Sequence, residues 1–265
     1  MASVNRFNEE TLQLLQNMST SMFNALSPSV GASELICRKL EASRDQQLTE
    51  HFSMLQKSQF RLLNTAENMN VYSNIELGEQ IMHKSVIDMN EMAEELVQTA
   101  HMLNVKTKLS FIPVEEECLV KGDGELLERL ILNVVSNSCI HGTHCTLELR
   151  IDHENHSCVI CVRDNGAGIR SGQNPFAVPH TLEELMQPGR GAGLGLRTAD
   201  SIARLHSGTL FVSAAEKGAE VLIRLPLAKP EDVGIYGIGY CMKLRNVVAA
   251  LSDVVPRDSF SQPYL

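Results

Sequence analysis

The sequence is short of positive charge. Its 23 Lys and Arg stand against 32 Asp and Glu, a formal net charge of −9 over 265 residues. Without a basic face, a general binder of nucleic acid or of anionic membranes is excluded, although a local basic pocket for phosphate is not. No apolar run approaches the roughly 20 residues that a membrane span needs. Residues 1–10 lack the charged-then-apolar pattern of a signal segment. The expectation is a soluble, cytoplasmic protein. Seven cysteines, an odd number, fit a reducing compartment. Cys158 and Cys161 form a C-x-x-C with no second pair to match it. They fall in an apolar run that reads as a strand, so buried strand cysteines are expected rather than a zinc or redox site.

Hydrophobic residues make up 43% of the chain, enough for a buried core. Residues 8 to about 43 read as a long helix, with Leu15, Met18, Met22, Ala25, Ala32 and Ile36 at helical spacing. Pro28 predicts a kink or local unwinding within it. After a polar turn at 41–45, Leu48, Phe52, Leu55, Leu62, Ala66 and Met69 mark a second helix. A lone hairpin of two amphipathic helices cannot bury both apolar stripes, whereas two copies can, as a four-helix bundle. A homodimer is the expectation, and packing onto the rest of the same chain is the alternative.

Beyond a linker and strand at 73–88, strands and helices alternate without βαβ regularity. They include helices near 90–103, 123–140 and 193–206, and strands near 106–112, 118–121, 144–153, 156–164, 209–215 and 219–226. This predicts a layered α/β sandwich rather than a doubly wound sheet. Asp123 is placed to cap the 123–140 helix.

Three motifs carry chemistry. Asn133 and Asn137 lie at i and i+4 on one helix face, where amide oxygens suit Mg²⁺ and its waters. Asp164 ends a strand as an acceptor, and Gly166 and Gly168 after it permit a sharp turn and close backbone approach. Gly191, Gly193 and Gly195 open a helix with backbone N–H groups free to face phosphate, and Arg190 precedes them as a candidate cation. Each motif alone has an ordinary structural explanation; their order and spacing together are specific.

In that combination, residues 120–228 resemble the GHKL superfamily (gyrase, Hsp90, histidine kinase and MutL), and within it the ATPase domain of sensor histidine kinases. The resemblance implies an α+β fold: a helical hairpin (1–72), a Bergerat-type ATP-binding sandwich (73–228) and an extension (229–265). It implies ATP and Mg²⁺ as cofactors, with Asn137 the metal ligand, Asp164 the acceptor for the adenine amino group, and Gly166, Gly168 and Ile169 at the base. Arg190, Gly191, Gly193, Leu194, Gly195 and Leu196 would form the phosphate loop. Asn133 stands where directly hydrolysing members keep a Glu base, and Asn cannot take a proton from water. The implied activity is ATP-dependent phosphotransfer in two-component signalling, with a response regulator as possible partner. The hairpin departs from the family. Aligned on Pro28, the phosphoacceptor position holds Phe23 and its acidic neighbour is Asn24, and no His precedes His51. An ATP-gated switch without catalysis is therefore the alternative. Packing on the ATP-binding domain is expected for residues 229–265.

Overall fold

The computed structural model describes residues 8–41, 46–169, 176, 193–236, 239–256 and 259–260. Two long helices, α1 (Glu9–Glu41) and α2 (Gln46–Leu77), form an antiparallel hairpin. Helix α1 shows no local unwinding at Pro28. A proline removes one backbone donor, and the hairpin packs tightly just after it. Val30 is buried, and the Gln59 amide donates to the hydroxyls of Ser29 and Ser33 at 2.9 and 3.0 Å. Helix α2 runs on to Leu77, past the expected boundary at 72. Its last turns find partners there, since Tyr72 and Leu77 pack with Leu12 and Leu194 and Glu76 accepts from Ser201 and Arg204.

The rest is the expected α+β arrangement. Strand β1 (Lys84–Asp88) leads into α3 (Met89–Met102), followed by β2 (Lys108–Ile112), β3 (Leu119–Asp123) and α4 (Gly124–His141). Strands β4 (His144–Asp152) and β5 (Ser157–Asp164), helix α5 (Gly195–Leu205), and strands β6 (Thr209–Ala214) and β7 (Ala219–Pro226) come next. Helices α6 (Pro230–Tyr236) and α7 (Leu244–Leu251) follow. Five strands form one sheet in the order β2-β4-β5-β7-β6, with β2 and β4 parallel and the other pairs antiparallel. Strands β1 and β3 make a separate antiparallel pair. Asp88 and Asp123 cap α3 and α4, each accepting backbone N–H groups from the first turn.

Side chains alternate across a strand, and the register sorts the sheet into two faces. Leu147, Leu149, Ile160, Val162, Val221, Ile223 and Leu225 share the buried face, and period two puts Asp164 on that same face. The opposite face carries an ionic lattice: Arg150 and Arg163 on Glu148 at 2.6 and 3.1 Å, and Arg163 on Glu220 at 2.5 Å. Cys158 and Cys161 are both buried in β5 and free, as expected of strand cysteines. Burial pushes the Cys161 thiol up to about 12, too high for a thiolate nucleophile. His206, buried after α5, is held below its usual range by burial. Its Nε2 accepts the Asp123 N–H while Nδ1 faces the Ile202 carbonyl, so the neutral ring joins α5 to β3.

Residues 239–256 and 259–260 pack on the body of the molecule. Val247, Val248 and Leu251 of α7 are fully buried, and the Ser136 hydroxyl of α4 donates to the Ala250 carbonyl at 2.8 Å. The Tyr240 hydroxyl donates to Glu128 of α4, and its ring covers Gly124 so closely that a Cβ there would collide with it. Glu128 is 0% exposed. Burial pushes its carboxyl above the ordinary range, against hydrogen bonds from Tyr240, Asn246 and the Lys243 N–H. A carboxyl raised on folding binds more protons in the native state, so its contribution falls as pH rises from about 4.3, the unfolded value, through the native one. Glu128→Gln keeps a group that can accept from Tyr240 and removes that titration. In urea unfolding, the stability difference between variant and wild type should shift in the variant's favour between pH 4.5 and pH 8.

Candidate functional site

The site is organised along one face of α4. Asn133, Asn137 and His141 lie at i, i+4 and i+8, about 12 Å of helix rise. At the Asn133 end sits the start of α5, where a Cβ built on Gly195 would lie 3.4 Å from the Asn133 amide oxygen. At the His141 end sits the turn after β5, where a Cβ on Gly166 would strike the His141 carbonyl. The two glycine motifs therefore flank Asn137, one on each side.

The two asparagines differ sharply. Asn133 is 6% exposed and locked in a reciprocal amide pair with Asn68 of α2: Asn68 donates to it at 3.0 Å and it donates back at 2.9 Å. Asn137 is half-buried, and no hydrogen bond to its side chain occurs among the described residues. The sequence made these residues a pair. The structure gives Asn133 to the contact with the hairpin and leaves Asn137 open.

Asp164 is 8% exposed at the end of β5. Its Oδ1 accepts from the Gly166 N–H at 2.9 Å and the Ala219 N–H at 3.3 Å. Among the described residues no partner is seen on Oδ2, which leaves an acceptor for a donor-bearing ligand. The backbone around it is crowded. Gly218, at φ +83°, lies against the Asp164 carbonyl, and Gly168, at φ +70°, would put a Cβ 2.8 Å from the Gly218 carbonyl. Positive φ suits glycine and costs any other residue. Gly166, Gly168 and Ile169 line a shallow recess with the β6–β7 turn.

Gly193 has φ +67°, and Leu194 at the start of α5 has no side-chain cap, which leaves the first-turn N–H groups without a side-chain acceptor. Leu194 is buried against Leu12, Met69 and Tyr72 of the hairpin, while Leu196 packs on the main core. Arg190 and Gly191 lie outside the described residues. Among the described residues no cluster of His, Cys, Asp and Glu could hold a metal by itself. A Mg²⁺ that keeps several waters and takes phosphate oxygens needs few protein ligands, and the open Asn137 amide fits that demand.

Sequence reasoning missed four residues. Asn165 fastens the turn, accepting from the Thr143 and His144 N–H groups at 2.9 Å each; its place inside the Asp164 motif was the available signal. Gly218 had a turn signal without a role. Asn68 had none, because its partner is 65 residues away. Arg197 is 5% exposed, donates to the Phe176 carbonyl at 2.6 Å and bonds the Tyr72 hydroxyl.

Residues 122–229 match the family described as histidine kinase-, DNA gyrase B-, and HSP90-like ATPase. The chain is 24% identical over 176 residues to a probable sensor histidine kinase, TcrY, of Mycobacterium tuberculosis, covering 63% of this chain and 36% of that protein. It is 27% identical over 161 residues to sporulation kinase B of Bacillus subtilis (57% and 36% covered). It is 26% identical over 234 residues to the histidine protein kinase DivJ of Caulobacter vibrioides (81% and 37% covered). The chain thus spans little more than a third of the length of these relatives. Among solved structures, full-length ShkA in complex with AMPPNP superposes with a TM-score of 0.60 at 18% identity, covering 82% of this chain and 46% of that one. The histidine kinase AdeS of Acinetobacter baumannii gives 0.50 at 16% identity, covering 66% and 85%. At these identities the structural likeness speaks for the fold.

The crowding at Asp164 makes a specific demand. Gly218→Ala adds a strained φ and a clash with the Asp164 carbonyl, and should destabilise the protein by more than about 2 kcal/mol. Thermal unfolding reads this, with Gly234→Ala, where no atom lies within 4 Å of a built Cβ, as the comparison.

Proposed function

We propose that this chain, whose residues 122–229 are an ATPase domain of the histidine kinase-, DNA gyrase B- and HSP90-like family, binds ATP with Mg²⁺ in the crevice around Asn137. We read it as a signal-transduction phosphotransferase of the histidine-kinase type. The observation that carries this is the contrast on α4: the Asn133 amide is taken by Asn68, while Asn137 stays open between the two glycine motifs. In this reading the free Asp164 oxygen accepts from the adenine amino group, and Gly166, Gly168 and Ile169 bound the base. The start of α5, Gly193 to Leu196, faces the phosphates with its backbone N–H groups, and Arg190 and Gly191 belong to the same loop. Asn137 would hold Mg²⁺, which neutralises phosphate charge; phosphoryl transfer asks mainly for such neutralisation and for positioning. Asn133 supplies no base, which disfavours direct hydrolysis.

The chain divides in this reading into a hairpin (1–72), a nucleotide-binding domain (73–228) and an extension (229–265). A homodimer through the hairpin is supported by Leu48, Leu55 and Leu62, which recur every seven residues on α2 and are 39%, 47% and 46% exposed. Among the described residues no helix is long and apolar enough to cross a membrane, and we place the protein in the cytoplasm. A response regulator or another signalling protein is the proposed partner.

One observation favours a second reading, an ATP-gated switch without catalysis. Phe23 holds the phosphoacceptor position, and Asn24 stands where the acidic neighbour would. Neither side chain can accept a phosphoryl group as histidine does. Incubation with γ-labelled ATP and Mg²⁺, with and without candidate receiver proteins, separates the two. Acid-labile label on a protein, lost in Asn137→Ala, is the outcome for the phosphotransferase; ATP binding with no label on any protein is the outcome for the switch. In both readings Asn137→Ala and Asp164→Ala should each weaken ATP at least about 10-fold, the scale of one charge-assisted hydrogen bond. Unchanged affinity in a titration calorimeter would remove the proposed site.

A further inference from the structure

Residues 239–260 lie beyond the ATPase family match, yet they touch both halves of the molecule. On the sheet-bearing half, the Gly239 N–H donates to Val86 at 3.1 Å, the Met242 N–H to the Glu95 carboxylate at 3.0 Å, and the Lys106 N–H to Val254 at 3.2 Å. The Ser259 hydroxyl donates to the Leu103 carbonyl at 2.9 Å. On α2, Lys57 donates to the Asp253 carbonyl at 3.2 Å, Arg61 pairs with the Asp253 carboxylate at 2.9 Å, and the rings of Phe60 and Phe260 lie 6.0 Å apart.

Positions 57, 60, 61, 64 and 68 follow helical spacing, so the strap contacts and Asn68 share one face of α2. Farther along α2, Tyr72 packs with Leu194 and Glu76 holds Arg204 at 2.9 Å. The strap therefore grips the same rod that occupies Asn133 and buries Leu194. The acceptor-position residue Phe23 lines a cavity of about 740 Å³ with Glu125, Leu126 and Arg129, the opening turns of α4, and not with the Asn133–His141 half. In this pose the hairpin presents its acceptor turn away from the nucleotide crevice.

We infer that residues 239–256, with 259 and 260, are an autoinhibitory strap that holds α2 against Asn133 and Leu194, so that loosening it frees those two positions, beside the open Asn137, for nucleotide. This rests on the ATP reading given above. A site complete only in the released fraction binds with its affinity reduced by that fraction, and freeing the rod removes the reduction.

Arg61→Glu alone, and Phe60→Ala with Arg61→Glu, weaken the grip from the α2 side and leave the buried face of α7 intact. Arg61→Glu with Asp253→Arg restores the ion pair in reverse. Hydrogen exchange without nucleotide should accelerate severalfold in peptides covering 60–76 and 194–199 for the loosened variants and return toward wild type in the swap. Affinity for a fluorescent ATP analogue with Mg²⁺ should rise ~5-fold or more, the lower range of coupling between linked sites, and fall back in the swap. Unchanged exchange in both loosened variants overturns the strap, and faster exchange with unchanged or weaker affinity overturns its inhibitory role. If neither wild type nor variant binds the analogue, the ATP reading fails, while the exchange comparison still decides whether the strap holds α2.

Discussion

Helix α4 is covered on nearly every side, and a helix in that position must find a partner for each polar group it carries. The sheet covers it with Leu147, Ile160 and Val162, α2 with Asn68 and Glu67, and the C-terminal segment with Tyr240 and the Ala250 carbonyl. Arg129 is answered by Glu67 at 2.6 Å, Ser136 by Ala250, Glu128 by Tyr240 and Asn133 by Asn68. Asn137 is the amide left open among the described residues, between the points where Gly195 and Gly166 approach the helix. Glu128 Oε1 and Ser138 Oγ on the same helix are buried without a partner, so what sets Asn137 apart is its exposure beside the glycine motifs, and that is where the proposed nucleotide site lies.

The second half of the site depends on the absence of side chains. Asp164 is held by N–H groups from two segments, Gly166 beyond its own strand and Ala219 across the sheet. Those segments come close only because Gly166, Gly168 and Gly218 carry no Cβ. An acceptor fixed by backbone is rigid before any ligand arrives, and a rigid acceptor sacrifices little entropy when it binds. Asn165 fastens the same turn to Thr143 and His144, just past the end of α4, so Asp164 and Asn137 share one frame.

Much of this was legible in the sequence. Asp123 announced the start of α4, the apolar run around Cys158 and Cys161 announced the strand that Asp164 ends, and the order of the motifs announced the fold. Local chemistry and periodicity carry those signals. The rest arises from tertiary pairing, which leaves no period to read. Asn68 looks like any polar position on an amphipathic helix until Asn133 is placed opposite it. Pro28 predicted a kink or local unwinding; the helix runs through it without unwinding, one missing donor being a small loss inside a hairpin held by Gln59. The path of residues 239–260 was invisible because its contacts run to four separate elements, none of them its neighbour in sequence.

Helix α2 is an unbroken rod of 32 residues, about 48 Å long at 1.5 Å per residue. Its side chains are set 100° apart around the axis, so the meeting of Asn68 with Asn133 fixes the angular phase of the whole rod. A modest turn of the helix at its distant end is carried along its length and arrives at the amide pair as misalignment, not as displacement. Two planar amides bonded in both directions tolerate little of that. At 2.9 and 3.0 Å the two bonds leave little room for rotation or for sliding, so the pair ties the setting of the hairpin to helix α4.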